Sequence, residues 1–204
     1  KQLQALAVGV LLSAGMMSLA MAEKLDYRLV PRKIANDTYV IEGANEDFSR
    51  ANGCNIINTG FIVTQKGVVV INTGPSKRYG EQQRQAISSI TQQPIQLVLN
   101  LNLHPDYFFG NQAYSDVPIY STQVSIEGMK REGGAYADNL YRMCGDWMLA
   151  TESTPADKVI KPGVIAAGDA THVLELVELK GHTESDLILI DRSTGVMFAG
   201  GVDR

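Results

Sequence analysis

Blocks of positive charge, internal repeats, cysteine and histidine are all scarce or absent in this chain. Lys and Arg number 18 against 22 Asp and Glu, giving a formal net charge of −4. With no clustered basic stretch, a nucleic-acid-binding face is excluded. No segment recurs at a fixed period, which removes solenoids and propellers. Two cysteines, Cys54 and Cys144, allow one disulfide connectivity at most. Pairing is open to them in an oxidising compartment, but their distance along the chain favours two separate small buried residues. Beyond the N-terminus no run is apolar and long enough to span a bilayer.

Residues 1–22 are the exception in composition. "KQLQ" is followed by the apolar "ALAVGVLLSAGMMSLA", and "AMA" precedes the charged "EKLD". A short apolar run ending in small residues reads as a secretory signal peptide, which implies a periplasmic or secreted protein with no membrane association after cleavage. Folding then concerns residues 23–204. Hydrophobic content of 45% and charged content of 20% are ordinary for one globular domain.

Within that domain, "YRLVPRKIANDTYVIEG" reads as two short strands about an Asn36-Asp37 turn, and "NEDFSRANGC" as a polar loop. Residues 55–64 and 68–72 form a β-branched hairpin. Its second run, Val68 to Ile71, is apolar on both faces and so belongs in the middle of a sheet. Pro75-Ser76 starts a helix, with Tyr79, Ala86, Ile87 and Ile90 on its apolar side, and Pro94 ends it. "IQLVLNL" is a buried strand and residues 118–121 a short one. Tyr136, Leu140, Met143 and Trp147 make the apolar stripe of a further helix, read as core packing. Strands follow near 172–179, 186–191 and 196–199, with a turn at Ser193-Thr194-Gly195. This order is that of a layered α/β domain.

The chain has three histidines. His104 lies two residues before Asp106 in "NLNLHPDYFFGN", and His182 lies in "KGHTESD", ahead of Asp186. Imidazole nitrogen with carboxylate oxygen is a zinc-type ligand set. His172 has no carboxylate at a ligand spacing and reads as structural or exposed. Asp186 reads as a support for the His182 loop, Tyr107 as a packed aromatic beside Phe108 and Phe109, and Gly110-Asn111 as a turn into the next helix.

The succession "VVVINTG", helix, strand, "N-x-H-P-D-Y-x-x-G-N", "GHTESD" and "GVMFAGG" resembles the metallo-β-lactamase superfamily. "LDYRLVPRKIANDTYVIEGANEDFSRANGCNIINTGFIVT" further resembles the exported zinc metallohydrolases associated with quinoprotein relay systems. The resemblance implies an αβ/βα four-layer sandwich, incomplete here at the C-terminus, and a hydrolase acting on a small-molecule substrate. It also implies a possible partner in a periplasmic quinoprotein dehydrogenase. The family's first metal motif is H-x-H-x-D-H, and its third histidine sits in a G-H-[ST] turn. Carried over, His104, Asp106 and His182 are the metal ligands, and Asp106 is also the catalytic residue that orients zinc-bound water.

Three metal positions are substituted: Asn102 and Tyr107 stand where the family has histidine, and Gly201 where a bridging aspartate is common. Asn72 replaces the aspartate of the "D-T-G" turn. Intact relatives hold two zinc ions; this ligand set implies one at most. One subclass has asparagine at the first position and works with one zinc, but carries cysteine where this chain has Gly201. The resemblance therefore leaves two expectations, a hydrolase with a partly lost ligand set or a non-catalytic homologue serving a periplasmic quinoprotein system.

Overall fold

The computed structural model describes residues 25–201. The expected signal peptide, residues 1–22, lies outside the described residues. Five strands and a helix open the domain: β1 (Arg32–Ala35), β2 (Thr38–Ile41), β3 (Thr59–Thr64), β4 (Gly67–Ile71), α1 (Lys77–Ile90) and β5 (Ile95–Leu99). They are followed by the short α2 (Pro105–Phe108), a 3₁₀ turn at Phe109–Tyr114, β6 (Ile119–Ser121) and α3 (Gln123–Cys144). A 3₁₀ turn at Gly145–Met148 leads to β7 (Lys158–Val159), β8 (Gly163–Val164), β9 (Leu174–Leu179), β10 (Asp186–Asp191) and β11 (Met197–Ala199).

Two sheets result. The first runs β1-β2-β3-β4-β5-β6-β7, antiparallel up to β4 and parallel from there to β7; the second runs β11-β10-β9-β8. β4 occupies the middle of the larger sheet, and period-two alternation divides its side chains between two cores. Val68 and Val70 face the helices, in a core with Phe61, Val98, Phe108, Phe109, Met129 and Leu140. Val69 and Ile71 face the second sheet, packing with Leu97, Leu99, Leu174, Leu176, Leu187 and Leu189. The layers are thus helices, seven-stranded sheet and four-stranded sheet, the α/β layering expected.

Local chemistry sets the helix ends. The Ser76 hydroxyl accepts from the Tyr79 amide at 3.0 Å and caps α1; that of Thr122 accepts from the Ser125 amide at 3.1 Å and caps α3. α3 therefore begins well before the Tyr136 stripe, and Trp147 lies in the 3₁₀ turn beyond its end. The cysteines are joined: Cys54 and Cys144 form a disulfide with Cα atoms 5.9 Å apart, across a sequence separation of 90. The preference for two separate cysteines is overturned because the loop after β2 folds back on the end of α3, where both side chains are buried.

Candidate active site

"NLNLHPDYFFGN" crosses from the C-terminal end of β5 into α2, the end of a parallel strand where ligands gather in open α/β sheets. The loop is clamped at both ends by its own asparagines. Asn100 Nδ2 donates to Asn111 Oδ1 at 3.1 Å, and Asn111 Nδ2 returns a bond to Asn100 Oδ1 at 2.8 Å. Thr73 Oγ1 donates to Asn111 Oδ1 at 2.8 Å. Gly110 passes so close to β4's end that a Cβ there would stand 2.0 Å from the Thr73 carbonyl oxygen. Only glycine fits. Asn72, in the left-handed region at φ 56°, accepts from the Leu101 amide at 2.9 Å, so its side chain is tied to the start of the loop after β5.

Held this way, His104 meets His182. Nδ1 of His104 and Nε2 of His182 are 3.0 Å apart, their rings nearly perpendicular with centroids 4.6 Å apart. One ring donates and the other accepts, according to tautomer. Burial lowers the His104 pKa below the usual imidazole value, His182 lowers it further, and Asp186 opposes them. Asp186 itself is buried and saturated: Asn102 Nδ2 donates to it at 2.6 Å, the Thr183 hydroxyl at 2.7 Å and the Thr183 amide at 2.9 Å. It fixes the turn that carries His182, as the sequence suggests.

Asn102 is fully engaged elsewhere. Besides Asp186, its Nδ2 donates to the Gly200 carbonyl at 2.9 Å, and its Oδ1 accepts from the His104 amide at 2.8 Å. Its amide rivets β11's end to the loop, and its hydrogen bonds go to Asp186 and the backbone. Tyr107 is buried with Ile56 and Ile57, a cluster apart from the core that holds Phe108 and Phe109. Gly201, at φ +88°, closes the group: a Cβ there would stand 3.1 Å from Tyr107 Oη and 3.5 Å from both Asn102 Nδ2 and His182 Cδ2. The substituted positions Asn102, Tyr107 and Gly201 are therefore neighbours around His182.

A cavity of about 270 Å³ opens beside the histidine pair. His104, Pro105, Asp106 and Tyr107 form one side, with Asp106 only 4% exposed; His182 stands at the rim. Phe48 and Ile56 come from the disulfide-tied loop, and Tyr136, Asn139 and Leu140 from α3. The sequence stripe of α3 thus serves twice, as core and as cavity wall. Phe48 and Ile56 were not legible as site residues; the cysteine that anchors their loop is the one signal that could have pointed to them. His172 is remote and buried, with Nδ1 2.8 Å from Asp191 Oδ2.

Two nitrogens bound to one tetrahedral zinc at about 2.0–2.1 Å stand roughly 3.3 Å apart. The His104–His182 separation fits one edge of such a tetrahedron. Among the described residues, no group of three or more His, Cys, Asp or Glu is placed to hold a metal ion. The donor set suits an ion held by two imidazoles, not a closed three-ligand site.

The family model described as the metallo-beta-lactamase superfamily matches residues 52–200. The chain belongs to that superfamily. A comparison with curated proteins found no match. Among solved structures, this superfamily member is similar to TMB-1, at 18% identity and TM-score 0.60, over 85% of this chain and 69% of that one. It is also similar to the DIM-1 metallo-β-lactamase exposed to ceftazidime, at 16% identity and TM-score 0.61, with the same coverage of 85% and 69%. A metallo-β-lactamase from Pontibacter korlensis aligns at 18% identity and TM-score 0.55, over 80% and 67%. At these identities the likeness speaks for the fold, and the superfamily supports a hydrolase acting on a small molecule.

Proposed function

We propose that this chain is an exported, zinc-dependent hydrolase of small acyl compounds that works with a single, weakly held ion. The observation that carries this reading is the 3.0 Å approach of His104 Nδ1 and His182 Nε2 at the mouth of a cavity walled by Asp106. His104 and His182 would hold the zinc, with Asp106 beside it. When bound, zinc supplies a Lewis acid and acidifies water to a pKa near 7. Asp106 takes the proton of the attacking water as its oxygen adds to the acyl carbon. The carboxylate then returns that proton to the departing alcohol or thiol, leaving the acid product. Export is supported by the Cys54–Cys144 disulfide, a bond that persists in oxidising compartments.

The test is zinc content of the refolded full chain, read together with ester and thioester turnover before and after chelation. The reading expects up to one zinc per chain, lost in His182→Ala, and turnover that chelator abolishes. Absence of zinc after refolding in excess metal sinks it.

A second reading has one observation in its favour. Asn102 spends its amide on Asp186, Gly200 and the His104 backbone, so this position is built for structure. On this reading the chain is a non-catalytic binding homologue, and the quinoprotein association suggested by the resemblance of residues 25–64 would supply the partner.

A further inference from the structure

A second cavity, of about 530 Å³, lies where the disulfide-tied loop meets the end of α3, and it shares no lining residue with the one beside the histidines. Its lining holds two guanidinium groups, Arg50 from the loop and Arg142 from the last turn of α3, against one carboxylate, Asp146. Among the described residues neither arginine belongs to an ion pair, whereas Arg32, Arg84, Arg131 and Arg192 each hold a carboxylate. Arg142 also suits its place at a helix C-terminus, where the dipole favours a cation. No such role accounts for Arg50.

Arg50 is nevertheless held in place. Its carbonyl accepts from Trp147 Nε1 at 2.9 Å, and its side chain lies over Gly145, where a Cβ would stand 3.3 Å from Arg50 Nε. Gly145 ends α3 at φ 57°, a value that favours glycine. Trp147 is fixed in turn: its ring centroid is 4.3 Å from that of Tyr27, and a Cβ on Gly53 would stand 2.7 Å from Trp147 Cδ2. Leu25, exposed Tyr141 and Trp147 add apolar surface beside the two cations. Two positive charges against one negative match a monoanion better than a dianion. The planar guanidinium fork fits a carboxylate, and the apolar surface beside it suits a hydrocarbon body.

We propose that this cavity binds a monocarboxylate with an apolar body, its carboxylate held by Arg50 and Arg142 and its body lying against Tyr141 and Trp147. Phe48, two residues from Arg50, and Leu140, two from Arg142, line the cavity beside the histidines. The ligand therefore bridges the same loop and helix that wall that cavity. Binding here needs neither zinc nor turnover, so it stands or falls apart from the hydrolase reading.

The experiment is calorimetric titration of the full chain with two probes, 3-phenylpropionate and its uncharged amide, with and without chelator. The carboxylate should bind about tenfold more tightly than the amide, and raising the ionic strength should narrow that gap. Arg50→Gln and Arg142→Gln should each weaken the carboxylate about threefold to fivefold and leave the amide unchanged. Asp146→Asn should tighten the carboxylate about twofold to threefold. Chelator and His182→Ala should change none of these values. Equal affinity for the two probes, or a carboxylate preference that survives Arg50→Gln with Arg142→Gln, overturns the proposal. So does a preference that chelator or His182→Ala removes, because the carboxylate would then be held at the histidines.

Discussion

The hairpin β9–β10 has a histidine at each end, and the two ends differ in almost everything else. At one end His182 stands exposed on a turn and meets His104 ring to ring beside an open cavity. About 20 Å away along the strands, His172 is buried with Asp191, both side chains at 0% exposure. There the carboxylate is saturated: besides His172 it accepts from the Thr194 hydroxyl at 2.7 Å and the Ser193 amide at 3.0 Å. Burial works against the ionised form of Asp191, but these bonds outweigh it and lower its pKa. His172 Nε2 has no hydrogen-bond partner among the described residues and touches no solvent. A histidine–carboxylate pair closed off in this way is a brace. A histidine pair with a cavity in front of it is open to a ligand, and it is the site we propose.

This contrast can be broken most strongly from outside either pair. Replacing Cys54 and Cys144 together by Ala should lower unfolding free energy by about 4 kcal/mol, given the length of chain the bond closes. Urea denaturation checks it, and the loss should spread to ligand binding because both cavity walls are released. Asp191→Ala should cost about 3 kcal/mol by leaving His172 buried without a partner, while zinc content and probe binding stay unchanged in the folded fraction. Asn102→Ala should cost about 2 kcal/mol, since it strips donors from Asp186 and Gly200 and an acceptor from the His104 amide. Unlike Asp191→Ala, it should also loosen the His104–His182 pair, seen as altered imidazole resonances by NMR. Asn102→His and Tyr107→His together should raise zinc affinity at a cost in stability.

The smallest effect is one of pH. Asp169 precedes His172 and accepts from the Thr171 hydroxyl and from the amides of Gln65, Thr171 and His172. Partial burial opposes its ionisation, yet these bonds outweigh that and hold its pKa at about 2. The unfolded chain has this group near 3.9. Its contribution is therefore present above about pH 4 and is lost as pH falls through about 2. Asp169→Asn should flatten the urea midpoint over that window, and an unchanged slope would mean the turn does not depend on the charge.

How much of this was legible depended on whether the signal was local. The β3–β4 hairpin, α1, β5 and the β9 to β11 meander follow from period and punctuation, and the structure places them within a few residues. The apolar pattern marks α3 only from Tyr136 onward, because Gly128, Gly133 and Gly134 interrupt it further back. Two of these glycines lie against neighbouring side chains: a Cβ on Gly133 would stand 2.0 Å from Ser153 Oγ, and one on Gly128 would press on Leu103 Cδ2 at 3.0 Å. His104, Asp106 and His182 were readable because the family's motifs name them, and the structure places all three around one cavity. Asp191 as the partner of His172 was not readable, since the pairing spans 19 residues and needs the hairpin to form. Phe48 and Ile56 escape for the same reason, because their loop reaches α3 through contacts distant in sequence: the Cys54–Cys144 disulfide, the packing of Phe48 on the helical core and the Trp147 Nε1 bond to the Arg50 carbonyl.

We propose that the His104–His182 end is the working end of this molecule. Turnover of an ester by the zinc-loaded full chain, compared with His182→Ala and Asp191→Asn at equal folded fraction, tests it most directly. Chelator-sensitive hydrolysis is expected, abolished in His182→Ala and kept within about twofold in Asp191→Asn, since the latter change lies about 20 Å away. Hydrolysis that survives His182→Ala, or that Asp191→Asn removes equally, would contradict it.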